Sequence, residues 1–109
     1  MTDRELLELA AKAAGMPHQW CDAWNTMAKP RPDGGFFFDK VWNPLRDDGD
    51  ALRLAVKLRL DVDCAGGEVV VAYEQITNAH AAERVGDDPL SATRRAIVRA
   101  AAEIGEGKK

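Results

Sequence analysis

Cysteine is scarce in this chain, and so is any excess of positive charge. Only Cys21 and Cys64 occur. They stand far apart and in no paired pattern, so a disulfide framework is not expected and a reducing cytoplasm fits best. Lys and Arg number 15 against 18 Asp and Glu, giving a net charge of −3 and a pI near 5.3. Nonspecific nucleic-acid binding draws its affinity from clustered cations meeting phosphates, so this balance argues against that role. No apolar run approaches the ~20 residues of a membrane span. The stretch "MTDRELLELAAKAAG" lacks the basic start, apolar run and cleavage site of a signal peptide. Phosphate-loop and dinucleotide glycine motifs are missing. "AGGE" and "PDGG" read as turns, because neither leads from a strand into a helix. Rings are absent from most of the chain: every Trp and Phe falls within residues 20–42.

What is present suits one compact domain over 1–105, followed by a solvated tail over 106–109. The chain is 46% hydrophobic over 109 residues, enough to fold without disulfides or metal. Thr2 and Glu5 have capping-box spacing. Leu6, Leu9, Ala10 and Ala13 then repeat at i, i+3, i+4, i+7, which predicts a helix from about Asp3 to Ala14, stopped by Gly15. Residues 16–35 read as irregular, with a short helical turn allowed by the Trp20–Trp24 spacing and a strong break at "KPRPDGG". "GFFFDKVW" reads as a strand, with Phe36, Phe38 and Lys40 on one face and Phe37 and Val41 on the other.

A second helix follows. Asp47 and Asp50 have capping-box spacing, and Asp48 lies in the first turn, where the helix dipole favours carboxylates. Ala51, Leu54, Ala55 and Leu58 form its apolar face. Leu52 and Val56 widen that face, so the helix is expected to be largely buried. "RLDVDC" and "EVVVAYE" predict two strands joined at Ala65-Gly66-Gly67, the second covered on both faces because of its continuous valine run. "TNAHAAERVGDD" reads as loop. Asp88 as N-cap, Pro89 at N1 and Gly105 as stop bound a third helix. Its stripe is Leu90, Ile97, Ala101 and Ile104, with Arg95, Arg99 and Glu103 opposite.

Two segments, "WNPLRDDGDALRLAVKL" (42–58) and "DPLSATRRAIVRAAAEIG" (88–105), resemble the phage ABA sandwich family, small proteins of phages and prophages that include NinX-like members. The resemblance implies an α/β/α sandwich. The fold expected is therefore a single-domain, three-layer α/β/α sandwich of the α+β kind, with a small, mainly antiparallel sheet and about three helices. It implies no catalytic residue.

Four groups are candidate sites. Asp47, Asp48 and Asp50, with Asp88, read as helix caps. A hard cation needs oxygen ligands converging on one point, and no second acidic motif completes a shell around the three. Arg94 falls on the apolar stripe of helix three, so it needs a carboxylate among Asp47, Asp48 and Asp50. Alternatively it forms the floor of an anion groove with Arg95 and Trp42, since the guanidinium fork matches phosphate and carboxylate. His18 and Cys21, as H-x-x-C, could begin a zinc site, but Cys64 and His80 lie on a strand and a distant loop and no CxxC or HxxxH supports them; with no protease-type arrangement either, the four read as ordinary packing. Trp20, Trp24, Phe36, Phe37 and Phe38 form either a local core or an interface, because three successive phenylalanines on a strand cannot all face inward.

With no acid–base or nucleophile constellation, the expected function is a non-enzymatic, cytoplasmic binding protein of phage or prophage origin, host-modulating or counter-defensive. No metal or cofactor is expected, and neither nucleic acid nor membrane is an expected partner. The partner is a host protein or a small anionic, nucleotide-like ligand held where subunits of a homo-oligomer, most simply a dimer, meet. A metal-dependent hydrolase using the three aspartates ranks third.

Overall fold

In chain order the elements are α1 (Asp3–Ala13), β1 (Gln19–Cys21), β2 (Thr26–Pro30), β3 (Phe36–Trp42), α2 (Asp48–Leu58), β4 (Asp61–Asp63), β5 (Val69–Tyr73), β6 (His80–Arg84) and α3 (Pro89–Gly107). They come from a computed structural model that describes residues 1–107. Three helices and antiparallel strands make one α+β unit. The strands divide between two three-stranded sheets, β1-β2-β3 and β4-β5-β6, where one small sheet was expected.

Helix α3 holds the other elements together: it packs against α1, α2, β5 and β6. Its start follows from Asp88, whose carboxylate accepts the Ser91 N–H at 3.0 Å, and from Pro89 in the first helical position. Helix α1 starts as its capping pattern predicts. The Thr2 hydroxyl accepts the Glu5 N–H at 3.2 Å and donates to the Glu5 carboxylate at 3.1 Å. The two helices meet through small residues. Ala10 and Ala11 of α1 and Ala96, Ala100, Ala101 and Ala102 of α3 are all buried. Small side chains let helix axes approach closely, and the interior is filled by Leu7, Met27, Val70 and Val98.

Gly105 is not the stop that its position suggests. The helix continues through Gly107, and the proposed boundary at 105 falls inside it; the remainder of the tail, 108–109, lies outside the described residues. Gly105 is buried where α3 crosses α1. A Cβ there would come within 2.1 Å of the Leu9 carbonyl oxygen, so glycine marks a close approach of two backbones.

Five further expectations are corrected. Residues 19–30 form a hairpin, paired Gln19↔Ala28 to Cys21↔Thr26, so Trp20 lies on a strand and not in a helical turn. Its turn is closed by Asn25 at φ 52°. "HAAER" is strand β6, paired along its length with β5. Helix α2 buries only one face: Leu52 and Val56 are 64% and 70% exposed. The valine run of β5 is likewise covered on one side only, with Val70 and Ala72 against α3 and Val69 and Tyr73 open. Leu90, expected on the buried stripe, is exposed at the first turn of α3.

The two glycines of the last turns test this packing. An exposed helical Gly→Ala change normally stabilises by up to ~1 kcal/mol. Gly107→Ala, with nothing within 4 Å of the added Cβ, is expected to raise the chemical-denaturation midpoint slightly. Gly105→Ala is expected to lower stability by roughly 1–3 kcal/mol, because overpacking outweighs the propensity gain.

Candidate functional site

The loop between β3 and α2 brings the singled-out charges together. Asp47 is the N-cap of α2; its carboxylate accepts the Asp50 N–H at 2.7 Å. Asp50 reaches back to the Asn43 N–H at 3.0 Å and also takes Arg53 at 2.8 Å. Asp48 turns the other way, onto Arg94 at 2.6 Å. The three carboxylates therefore split between two cations: Asp47, at 3.8 Å, shares Arg53 with Asp50, and Asp48 takes Arg94. Among the described residues no group of three or more His, Cys, Asp or Glu is placed to hold a metal ion.

Arg94 is 16% exposed at its side chain. Its Nε donates to the Leu45 carbonyl at 2.9 Å and its Nη1 to Asp48. One guanidinium thus ties α3 both to the 43–47 loop and to the first turn of α2. Both halves of the sequence reading meet here, since Arg94 has its acid and also lines a surface groove.

That groove consists of two adjoining depressions of about 330 and 300 Å³ that share Asp3, Leu45 and Arg46. The second includes Ser91, Arg94 and Arg95; the first includes Arg4, Trp20, Asn25 and Asn43. Four arginines and one aspartate supply its charges. Arg95 bridges Asp3 at 3.2 Å and Glu83 at 3.4 Å, and Arg4 pairs with Glu8 at 3.4 Å while lying 5.7 Å from the centre of the Trp20 ring. Arg46 has no ion pair or side-chain hydrogen bond among the described residues. The sequence reading missed Arg46. Three aspartates follow it within four residues, which suggests a local pair, but the loop turns its side chain to the opposite side, into the groove.

Trp42, expected beside Arg94 and Arg95, is not in the groove. It is only 5% exposed, and its carbonyl accepts the buried Thr26 hydroxyl at 3.0 Å. Its indole packs on His18 with ring centroids 6.2 Å apart. Trp42 ends β3 where that strand enters the core, which explains its burial.

The other rings divide. Trp20 is half-buried beside the groove, its indole N–H held by Asp22 at 2.9 Å. Trp24, Phe36 and Phe38 cluster at the far end of the first sheet, with Trp24 edge-on to Phe38 at 6.0 Å and 6.3 Å from Phe36. Phe38 is 84% exposed. Phe37 lies on the opposite face under the Lys29 ammonium at 5.9 Å. Cys21 is buried and Cys64 exposed, both as free thiols.

A larger depression, about 650 Å³, lies on the other side of Arg95. Its two arginines already share Glu83, and Glu103 and Glu106 bring its acids to three. That charge does not suit an anion, so the smaller arginine groove is the better candidate. No helix among the described residues is long and apolar enough to cross a membrane. Compared with family models, curated proteins and solved structures, the chain matches none.

Two measurements probe this region. His18 has a buried Nδ1 without a partner. Burial first, and then the Lys29 ammonium, push its pKa below the ordinary histidine value, outweighing Asp50 and the Lys40 backbone. The unfolded chain therefore binds more protons near pH 6.5, and stability is lost as pH falls below about 6.5 toward the depressed folded value. Thermal melts from pH 7.5 downward should show a shallower loss for His18→Gln than for the native chain. In a double-mutant cycle, Arg94→Met should cost about 1–3 kcal/mol, because it also strips the Leu45 carbonyl. Asp48→Asn should cost only about 0–1 kcal/mol, since Asp48 is exposed.

Proposed function

We propose that this protein is a binding protein that captures a small phosphorylated, nucleotide-like ligand in the groove lined by Arg46, Arg94 and Arg95. The observation that carries the reading is the unpaired guanidinium of Arg46 lining one depression with Arg94 and Arg95, which Asp48 and Asp3 already hold. Guanidinium forks match phosphate oxygens in a bidentate way. Asp48 and Asp3 hold Arg94 and Arg95 in place without ligand, so little side-chain freedom is lost on binding. Beyond Arg46 the groove is lined by the Trp20 indole, with the Arg4 guanidinium over its ring, and by two amides, Asn25 and Asn43. A ring and amide edges suit a nucleobase, as the arginines suit its phosphates. Together the depressions fall within the ~300–1,000 Å³ of small-molecule sites.

A phage or prophage origin is part of this proposal and rests on the resemblance of residues 42–58 and 88–105. Arg94 supports treating the two segments as one unit, because its contacts to Leu45 and Asp48 join them. Sequestering a host signalling nucleotide in the cytoplasm would make such a protein host-modulating or counter-defensive without catalysis. The exposed Trp24–Phe38 pair favours a second reading, in which the end of the first sheet meets a host protein.

Calorimetric titration with adenosine diphosphate and with inorganic pyrophosphate tests the groove. Binding of either, weakened by added salt and roughly 10–100-fold weaker in Arg46→Glu, is the expected result; one lost charge-assisted hydrogen bond of ~1.5–3 kcal/mol gives that range. Arg46 is exposed, so the variant should melt with the native chain. Unchanged affinity in Arg46→Glu, or no binding of either probe by the native protein, removes the reading. Phe38→Asp should leave this binding unaltered, since Phe38 does not line the groove.

A further inference from the structure

The arginines of the groove are not gathered at one point. Arg94 and Arg95 line one depression, Arg4 lines the other, and Arg46 stands on the boundary that both share. They differ in how far their donors are committed. Arg94 gives its Nε to the Leu45 carbonyl and Nη1 to Asp48, and Arg95 gives Nη1 to Asp3. Arg46 has no ion pair or side-chain hydrogen bond among the described residues. Arg4 has an exposed i, i+4 pair with Glu8, at 3.4 Å, and Glu8 does not line the groove. Pairs of this kind are weak, so both ends of the groove have guanidinium donors to offer. Asn43 adds to the first depression: its Oδ1 accepts the Leu45 N–H at 3.2 Å, which leaves the amide nitrogen as a further donor.

The shared boundary is of mixed character. Besides Arg46 it has Leu45, which is apolar, and Asp3, whose side chain is 60% exposed. One carboxylate oxygen of Asp3 takes Arg95 at 3.2 Å, and a carboxylate has further lone pairs to share. A phosphate set directly over the boundary would gain from Arg46 and lose to Asp3, since like charges repel at short range. A sugar set there brings hydroxyl donors to Asp3 and carbon atoms to Leu45.

This layout specifies the kind of nucleotide, on the groove reading above, from which it follows. We propose that the groove takes a nucleoside bisphosphate with its phosphates on two different ribose oxygens. One phosphate lies against Arg94 and Arg95 and the other against Arg4 and the Asn43 amide, with the ribose over Asp3 and Leu45. Trp20 and Asn25 are left to the base. The phosphates of a diphosphate are joined through one oxygen and must share one depression. Phosphates on the 3′ and 5′ oxygens of a ribose are held apart by the sugar and can occupy both. Each is also a monoester, with three free oxygens and close to two charges for a guanidinium fork to meet.

Calorimetric titration of the full chain with adenosine 3′,5′-bisphosphate, ATP and ADP, without divalent cations, tests this placement. At pH 8, above the phosphate second pKa of ~6, the bisphosphate and ATP each carry about four negative charges, so the position of the charges is what differs. The bisphosphate is expected to bind roughly tenfold more tightly than ATP or better, the worth of one further charge-assisted hydrogen bond. Arg4→Gln should erase that preference. Arg4→Lys should keep part of it, because a point charge replaces the fork. The Arg4 side chain is exposed, so both variants should melt with the native chain. ATP binding as tightly as the bisphosphate overturns the proposal, and so does a preference that survives Arg4→Gln. In either case, ADP binding that is weakened by Arg46→Glu still upholds the groove itself, so the two failures are told apart. If neither ADP nor the bisphosphate binds the native chain, both readings fall.

Discussion

The close crossing of α1 and α3 is the constraint on which the rest depends. Gly105 lets the α3 backbone rest on the Leu9 carbonyl, and the buried alanines on either side keep the two helices together. Because α3 is fixed there, its other faces become fixed platforms. One receives β5 and β6, another receives α2. Arg95 and Arg99, which look like a solvent stripe in the sequence, instead bind Glu83 of β6 from the side of this platform. Arg94, one residue away, is aimed at the β3–α2 loop.

The groove is a by-product of the same geometry. Arg94 and Arg95 differ by one helical position, and so by about 100° in direction. One reaches α2 and the other α1, and the space they leave between them is the groove, closed from the side by Arg46. Its cationic character is local: the whole chain carries a net charge of −3, but most of the acids nearby are engaged as caps or partners. Bulk charge argues against a role resting on extended phosphate contacts and is silent about a pocket of this size.

Helices were the legible part of the sequence. Their caps at Thr2, Asp47 and Asp88 are local chemistry, and local chemistry survives folding. The strands were legible where β-branched or aromatic residues ran together, as in β3 and β5, or where apolar residues alternated with acids, as in β4. Strand β6, "HAAER", has helix-favouring composition and becomes a strand because β5 offers it a ladder. Strand β2 carries Met27 and Ala28 into the core and ends in a proline, a pattern without strand preference of its own. How far a helix is buried was not legible either. Leu52 and Val56 belong to the apolar arc of α2, but burial depends on what lies alongside, and α3 covers only one side. In the site, the need of Arg94 for a carboxylate follows from periodicity alone. Trp42 was misread because its place at the end of a strand says nothing of where that strand enters the core. Arg46 was missed because its direction is set by a loop.

The α1–α3 crossing joins opposite ends of the chain; Asp3 and Arg95, which bond across it, are 92 positions apart. During synthesis the amphipathic first helix therefore emerges long before its counterpart exists. At ~5–20 residues per second, the interval is on the order of 5–20 s. Throughout it α1 has only β1 and β2 to pack against, and the interior can close only after ribosomal elongation has passed Gly105. The nascent chain is thus obliged to wait, because the two helices that close its core are translated 92 positions apart.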